Sequence, residues 1–352
     1  MTPLTLLGLG AAALSALCQT VTDIGTKAAT REAEERLILA TEWTVGAVLL
    51  SILCVISHPA LLIHPVEAFA ELFRPNFWPL LLGAGALNVI AYYFFVRAFR
   101  LSDASLVAPL VLITPVFLLA TSPLMVAELV SPLGALGVIF SVLGAVFLGL
   151  SEPGATRRTS LLAFLQDPGV HSMGVTAVLW SITANLDKLG VRASAPLLWI
   201  APLFSLIAVA SIIVWLVLPH RPLRFRELRY AFVAGATNAV GNASQMYALT
   251  VLFVPYVIAI KRMSALFTVI VGGIILRENI RRRLLGAAVM LVGVMLVVGA
   301  TNRPSRVNSP PRLSNGFRDD QGGDLAAREL PATHATRIFQ SESQTKLALQ
   351  LE

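Results

Sequence analysis

Charge is scarce in this chain. Asp, Glu, Lys and Arg together supply 13% of its 352 residues, too few to hydrate the surface of a soluble domain of that length. Cysteine is scarcer still. Cys18 and Cys54 are the only two, and both fall inside apolar stretches, which argues against a disulfide framework or a zinc site. The histidines, His58, His64, His171, His220 and His334, lie at the ends of apolar runs, in loops or in the tail, with no metal-ligand spacing among them. No phosphate-binding loop of the Walker type is present, so nucleotide hydrolysis by that route is excluded. No catalytic residue, cofactor or metal is expected, and the chain does not read as an enzyme.

What is abundant is apolar. Hydrophobic residues make up 56% of the chain and mean hydropathy is +0.75, so the solvent for most of it is lipid. Counting runs of roughly 20 apolar residues bounded by charge, Pro or Gly predicts spans near 4–28, 38–57, 77–98, 104–126, 132–150, 171–190, 196–218, 229–249, 254–276 and 284–301. The expected fold is an all-α membrane protein of ten transmembrane helices, its partners the lipid bilayer and a small-molecule substrate, its location a cell (inner) membrane. The first run lacks a basic leader and a small-residue cleavage site, so it reads as a retained helix. The formal charge of +7 comes without basic runs interleaved with aromatics, and nucleic acid is not an expected partner. Residues 302–352 turn to Arg, Asp, Ser, Gln, Pro and Gly, a composition that predicts a disordered tail. Oligomeric state is not legible.

Internal repetition is the strongest organisational signal. A shift of 150 residues places Gly85 on Gly235, Asn88 on Asn238, Ala98 on Ala248, Phe117 on Phe267 and Glu128 on Glu278. After one deletion Gly137 falls on Gly286 and Gly144 on Gly293, and near the start of each half Lys27 pairs with Lys188. Two five-helix units follow, 1–150 and 151–301. Because five is odd, the second copy enters the membrane from the opposite side, giving inverted repeats of the kind alternating access uses.

Each half thus closes with a helix, a Glu, a short turn and a Gly-spaced final helix: Phe117, Glu128, Gly137, Gly144, and Phe267, Glu278, Gly286, Gly293. In this the chain resembles the EamA-like branch of the drug/metabolite transporter superfamily over roughly 1–301. The resemblance implies a secondary carrier or exporter with a solute cavity between the halves, for substrates from amino acids and drugs to sugar phosphates and nucleotide sugars. The pair Lys261-Arg262 also resembles the basic pair of the triose-phosphate and nucleotide-sugar translocators, which implies anion binding.

Several intramembrane polar residues are candidates for the site. Lys261 lies roughly 10–12 Å along its span, a depth at which a charge should face a cavity or exhaust its reach to the surface; Arg262 adjoins it, and Ser264 and Thr268 extend the same stripe. Asn238, Asn242 and Gln245 share one face at i, i+4 and i+7, against Asn88, Tyr92 and Phe95 in the first half. One wall would hydrogen-bond and the other stack, although amides also tie membrane helices together. Gln19, Thr22, Asp23 and Thr26 form a further stripe, as do Trp180, Thr183 and Asp187. Asp23 and Asp187 are the candidates for proton or cation coupling. Glu128 and Glu278 read as structural carboxylates at the start of the next helix. Pro109 and Thr114-Pro115 in the fourth run, and Gly272-Gly273 in the ninth, mark expected helix breaks around a solute.

Three functions remain open on these residues: a transporter of an anionic or phosphorylated metabolite, an exporter of amino acids or amphipathic drugs, and a non-transporting scaffold or receptor acting through the tail. Orientation also stays open. The loops after the odd-numbered runs hold most of the Lys and Arg, which puts both termini outside, whereas the resemblance implies both inside.

Overall fold

The computed structural model describes residues 2–30, 32–63, 76–102, 107–150, 166–217, 225–267, 271 and 284–301. Thr268, Gly272-Gly273, Glu278 and the tail lie outside them. No strand occurs among the described residues. In chain order the helices are α1 (Pro3–Ala29), α2 (Glu35–Ser57), α3 (Phe77–Leu101), a 3-10 helix (Ala108–Ile113) that runs into α4 (Thr114–Val126), α5 (Pro132–Leu150), α6 (Pro168–Ala193), α7 (Pro196–Val217), α8 (Arg229–Val251), α9 (Val254–Lys261) and α10 (Leu284–Thr301). They belong to one compact unit, Met1–Val307.

Among the described residues α1, α2, α3 and α7 are long and apolar enough to cross a membrane, and α4, α5 and α10 contribute shorter apolar stretches. Leu7, Ile56, Leu124 and Met295 project from these helices with more than half their surface exposed, a display that water would not tolerate and lipid covers. The protein is an integral, multi-pass membrane protein. The helices α6 and α8 are less apolar because their inner faces are polar: Ser172, Thr176, Ser181, Asn185 and Lys188 are buried on α6, and Ser244 and Gln245 on α8. Asn185 shows what such residues do. Fully buried, it accepts from Ser122 of α4 at 2.8 Å, and donates to Thr121 at 2.9 Å and to the Ser181 carbonyl at 2.9 Å, which ties α6 to α4 with its amide satisfied.

The helix ends follow local chemistry. Thr2 caps α1 by accepting from the Thr5 N–H at 3.2 Å. Asp167 caps α6, accepting from Gly169 N–H at 2.8 Å, from Val170 N–H at 2.9 Å and from the Ser102 hydroxyl beyond α3. The Ser102 hydroxyl, with those two amides, holds the Asp167 carboxyl below the usual carboxylate range. Two expected spans depart from a regular α-helix among the described residues. The fourth begins as a 3-10 turn because Pro109 and Pro115 cannot supply the amide hydrogens a regular helix needs. The ninth, whose break was expected at Gly272-Gly273, turns through Arg262 and Met263 after Lys261 and is helical again over 264–267; Gly272-Gly273 lie outside the described residues.

The pairing of α5 with α10 rests on glycine. Gly137 approaches the Gly293 carbonyl, where an added Cβ would come to 2.8 Å, and Gly144 approaches that of Gly286 at 2.6 Å. One helix is thus read upward as the other is read downward, an antiparallel crossing in which missing side chains let backbones meet. A Cβ on Gly144 would overlap the Met290 backbone. Gly144→Ala should therefore cost about 1–3 kcal/mol, the usual penalty of overpacking, read as a lowered melting temperature in detergent, while Gly10→Ala, with open space around it, should leave that temperature unchanged.

A buried ionic knot fastens the start of α9. Ala127 takes a left-handed conformation at φ 56°, and the chain turns so that the Glu128 N–H returns to the Ser122 carbonyl at 3.3 Å. The Glu128 carboxylate meets Lys188 of α6 at 3.0 Å and Arg192 at 3.4 Å, and accepts from the Val254 N–H at 2.7 Å. Lys188 also donates to the carbonyls of Leu249 and Leu252, the latter at 2.9 Å. Glu128 does stand at a helix N-terminus, but it is that of α9, distant in sequence. At the start of α5, the next helix, Ser131 takes that part by accepting from Gly134 N–H at 3.2 Å.

Candidate functional site

The amide face of α8 and the end of α9 come together. Asn242 Nδ2 donates to the Asn238 side-chain oxygen at 2.7 Å and to its carbonyl at 2.9 Å, which leaves Asn242 Oδ1 directed at Lys261. The Lys261 ammonium donates to that oxygen at 3.3 Å and to Gln245 Oε1 at 2.7 Å. Three amides at i, i+4 and i+7 therefore make one chain of hydrogen bonds ending on a cation. Lys261 is also the last residue of α9, where the negative end of the helix dipole favours positive charge.

Arg262 sits in the break. Its guanidinium donates to the Thr114 hydroxyl at 3.3 Å, and its buried Nε has no hydrogen-bond partner. Thr114 in turn donates to the Val111 carbonyl at 2.6 Å, where the 3-10 segment joins α4. The two interrupted helices are thus joined through Arg262. Hydroxyls from neighbouring helices reach the backbone around the break, Ser141 donating to the Ala259 carbonyl at 3.4 Å and Thr20 to that of Ser264 at 3.4 Å. Ser264 is buried. Non-helical backbone at such a place is tolerated where protein satisfies it.

The carboxylates are held differently. Asp23 accepts from Gln19 at 2.8 Å on its own helix, with no ion pair to Lys27; Asp187 accepts from the Trp199 indole at 2.9 Å. The charges of both act on Lys261. Among the described residues neither carboxylate forms an ion pair, and neither do Lys261 and Arg262. Asp23 is exposed, and Lys261, Arg262 and Asp187 are half-buried. Of the rest of the α1 stripe, Thr22 meets Thr237 of α8 at 2.9 Å and Thr26 donates to Glu42 at 2.6 Å.

An aromatic wall lies among α2, α3, α6 and α7. Tyr92 of α3 lies 5.8 Å from Trp180 of α6 and 5.6 Å from Trp43 of α2, ring centre to ring centre, and Phe95 lies 5.4 Å from Trp180. Trp43 also meets Phe204 of α7 at 4.7 Å. Edge-on and tilted rings at these spacings attract one another. Asn88 stays out of the amide chain; it donates to the Ala84 carbonyl of its own helix at 2.9 Å.

Of the residues singled out in the sequence, Asn238, Asn242, Gln245 and Lys261 come together in one hydrogen-bonded chain, and Tyr92 and Trp180 meet as rings; Glu42, Trp43 and Phe204 were not singled out. Glu42 carried a signal, being the one carboxylate in the apolar run 38–57. Trp43 and Phe204 carried none beyond their size, since aromatic residues in an apolar run pack anywhere. No group of His, Cys, Asp and Glu suited to a metal ion occurs among the described residues.

Comparison with known proteins bears on the fold and the family. No curated protein matches the chain. A solved structure described only as a crystal structure of a protein matches with a TM-score of 0.66 at 16% identity, over 85% of this chain and 97% of that one, which shows a shared fold. The pattern of the EamA-like transporter family matches twice, over residues 6–150 and again over 168–299, taking in every residue of the amide chain, the basic pair and the aromatic wall. The chain belongs to the EamA-like transporter family, whose members carry small solutes across membranes.

Proposed function

We propose that this protein is a secondary transporter that moves a small organic solute by alternating access, and that Lys261 and Arg262 bind the solute's anionic group. The observation that carries this reading is the set of partners of Lys261. Its ammonium is held by two neutral amide oxygens, so its charge is positioned but not cancelled, as an anion site requires. The unpartnered Nε of Arg262 offers a second donor, and a buried donor without an acceptor is costly unless a ligand supplies one.

Ten transmembrane helices in two inverted halves are the architecture we propose for this movement. The contacts support it: α1 packs on α8 as α6 packs on α3, and α2 meets α7 across the centre. Exchanging the halves turns the first two pairs into each other and α2–α7 into itself. The contacts Gly137–Gly293 and Gly144–Gly286 likewise interchange under the sequence correspondence of the repeats. Two interrupted helices facing one another are where a transporter of this construction places its solute.

Asp23 and Asp187 favour one second reading, an exporter of amino acids or amphipathic drugs, because a solute with an amine beside its carboxylate would use both signs of charge. Melting temperature measured against a metabolite library separates the two, since a ligand that binds only the folded protein stabilises it, by about 2.7 kcal/mol at a hundred times its dissociation constant. Aromatic monoanions without an amine should raise the melting temperature of the wild type and not of Lys261→Ala. Stabilisation by aromatic amino acids alone would select the second reading, and stabilisation only by compounds lacking an anionic group would overturn both.

A further inference from the structure

Among the described residues one buried carboxylate, Glu42, belongs neither to the ionic knot nor to the amide chain. Glu42 lies on α2, seven residues beyond the helix start and so about 10 Å along it. It is 5% exposed. Its only hydrogen bond among the described residues is the one Thr26 donates to Oε1 at 2.6 Å, and no Lys or Arg pairs with it. The helices packed on α2 bring little charge to it. From α1 comes Asp23, whose like charge opposes that of Glu42. From α3 comes the phenol of Tyr92, on which the charge of Glu42 acts. Apolar α7 has no titratable residue. On α8 the nearest backbone is Gly235, where an added Cβ would come to 2.7 Å from the Glu42 carbonyl; the ionisable residues of α8 are Arg229, bound to Glu32 at 2.6 Å and stacked on Tyr230, and exposed Tyr247.

An ionised carboxylate buried without a cation is so unfavourable that the group takes up a proton instead. Asp23 and Asp187 differ in this respect, because both feel the charge of Lys261. We infer that Glu42 carries the coupling proton of this transporter, on the Oε2 oxygen that Thr26 leaves free, and that the proton leaves when the site opens to the opposite side. Only the O–H bond changes: water on one side supplies the proton and water on the other accepts it. Glu42 adjoins Trp43 of the aromatic wall and feels Asp23 of the charged site, so occupancy by a solute alters the surroundings of the proton. The inference rests on the transport reading, and its test keeps the two apart.

Full-length protein in liposomes is compared with Glu42→Gln, Asp23→Asn and Asp187→Asn by infrared difference spectroscopy across a pH step and by uptake of labelled phenylpyruvate and tryptophan, an aromatic anion and an aromatic zwitterion. The protonated-carboxyl band should be present in the wild type and in both Asp variants and absent from Glu42→Gln. Uptake by the wild type should respond to an imposed pH gradient; Glu42→Gln should lose that response and keep solute counterflow to within about twofold. A band that survives Glu42→Gln, a retained gradient response, or loss of counterflow in that variant would each overturn the assignment. Absence of counterflow of both probes in the wild type would count against the transport reading itself, and with it the coupling role.

Discussion

Glu128→Ala should destabilise the protein by about 3–5 kcal/mol, the usual cost of removing one partner from a buried ion pair. The reason lies in what stays behind. Lys188, 5% exposed, would keep its charge with only two backbone carbonyls as partners, and the Val254 N–H at the start of α9 would lose its acceptor. Arg192 is half exposed and can turn to water, so its share of the loss is small. Glu128→Gln retains an acceptor for Val254 and should cost less. Adding Lys188→Met to Glu128→Gln should recover part of the stability, because two neutral groups in an apolar site lack the stranded charge. Thermal unfolding in detergent of the four proteins measures this; a change below about 0.5 kcal/mol for Glu128→Ala, the range of ordinary surface substitutions, would show that the ion pair contributes nothing.

The same knot matters to the site. The eight residues of α9 are about 12 Å long, held by Glu128 at Val254 and by Gln245 and Asn242 at Lys261. A helix fixed at both ends transmits a shift at one to the other. It joins the turn after α4 to the amide face of α8.

How much of this was legible in the sequence differs between residues for physical reasons. The face shared by Asn238, Asn242 and Gln245 follows from helical geometry alone, and the cation that needed amides was the one charged deep enough to need them. The break at Pro109 and Pro115 was legible because proline lacks an amide hydrogen. The break after Lys261 was not, since it depends on hydroxyls of Ser141 and Thr20 that arrive from other helices. Glu128 was recognised as a carboxylate at a helix start, but the helix it serves begins at Val254, a pairing only the folded chain brings about. Glu42 illustrates the remaining gap: rarity marked it, yet its partner Thr26 and its isolation from cations are properties of packing.

Lys261→Ala should lower uptake of an aromatic anion by a hundredfold or more while leaving the fold intact. A charge-assisted hydrogen bond contributes about 1.5–3 kcal/mol, roughly one to two factors of ten, and without the ammonium the amides of Asn242 and Gln245 would also lose their common donor. Lys261→Arg should restore part of the activity, since it restores the charge but not the compact ammonium that two amides hold. Gln245→Leu, which removes the shorter of the two hydrogen bonds, should fall between.

Counterflow of labelled phenylpyruvate in liposomes containing wild type, Lys261→Ala or Lys261→Arg, with melting temperature as the control for folding, tests the central claim most directly. The account predicts counterflow in the wild type, near-total loss in Lys261→Ala at a melting temperature that still marks a folded protein, and partial recovery in Lys261→Arg. Equal counterflow in the wild type and Lys261→Ala would contradict it.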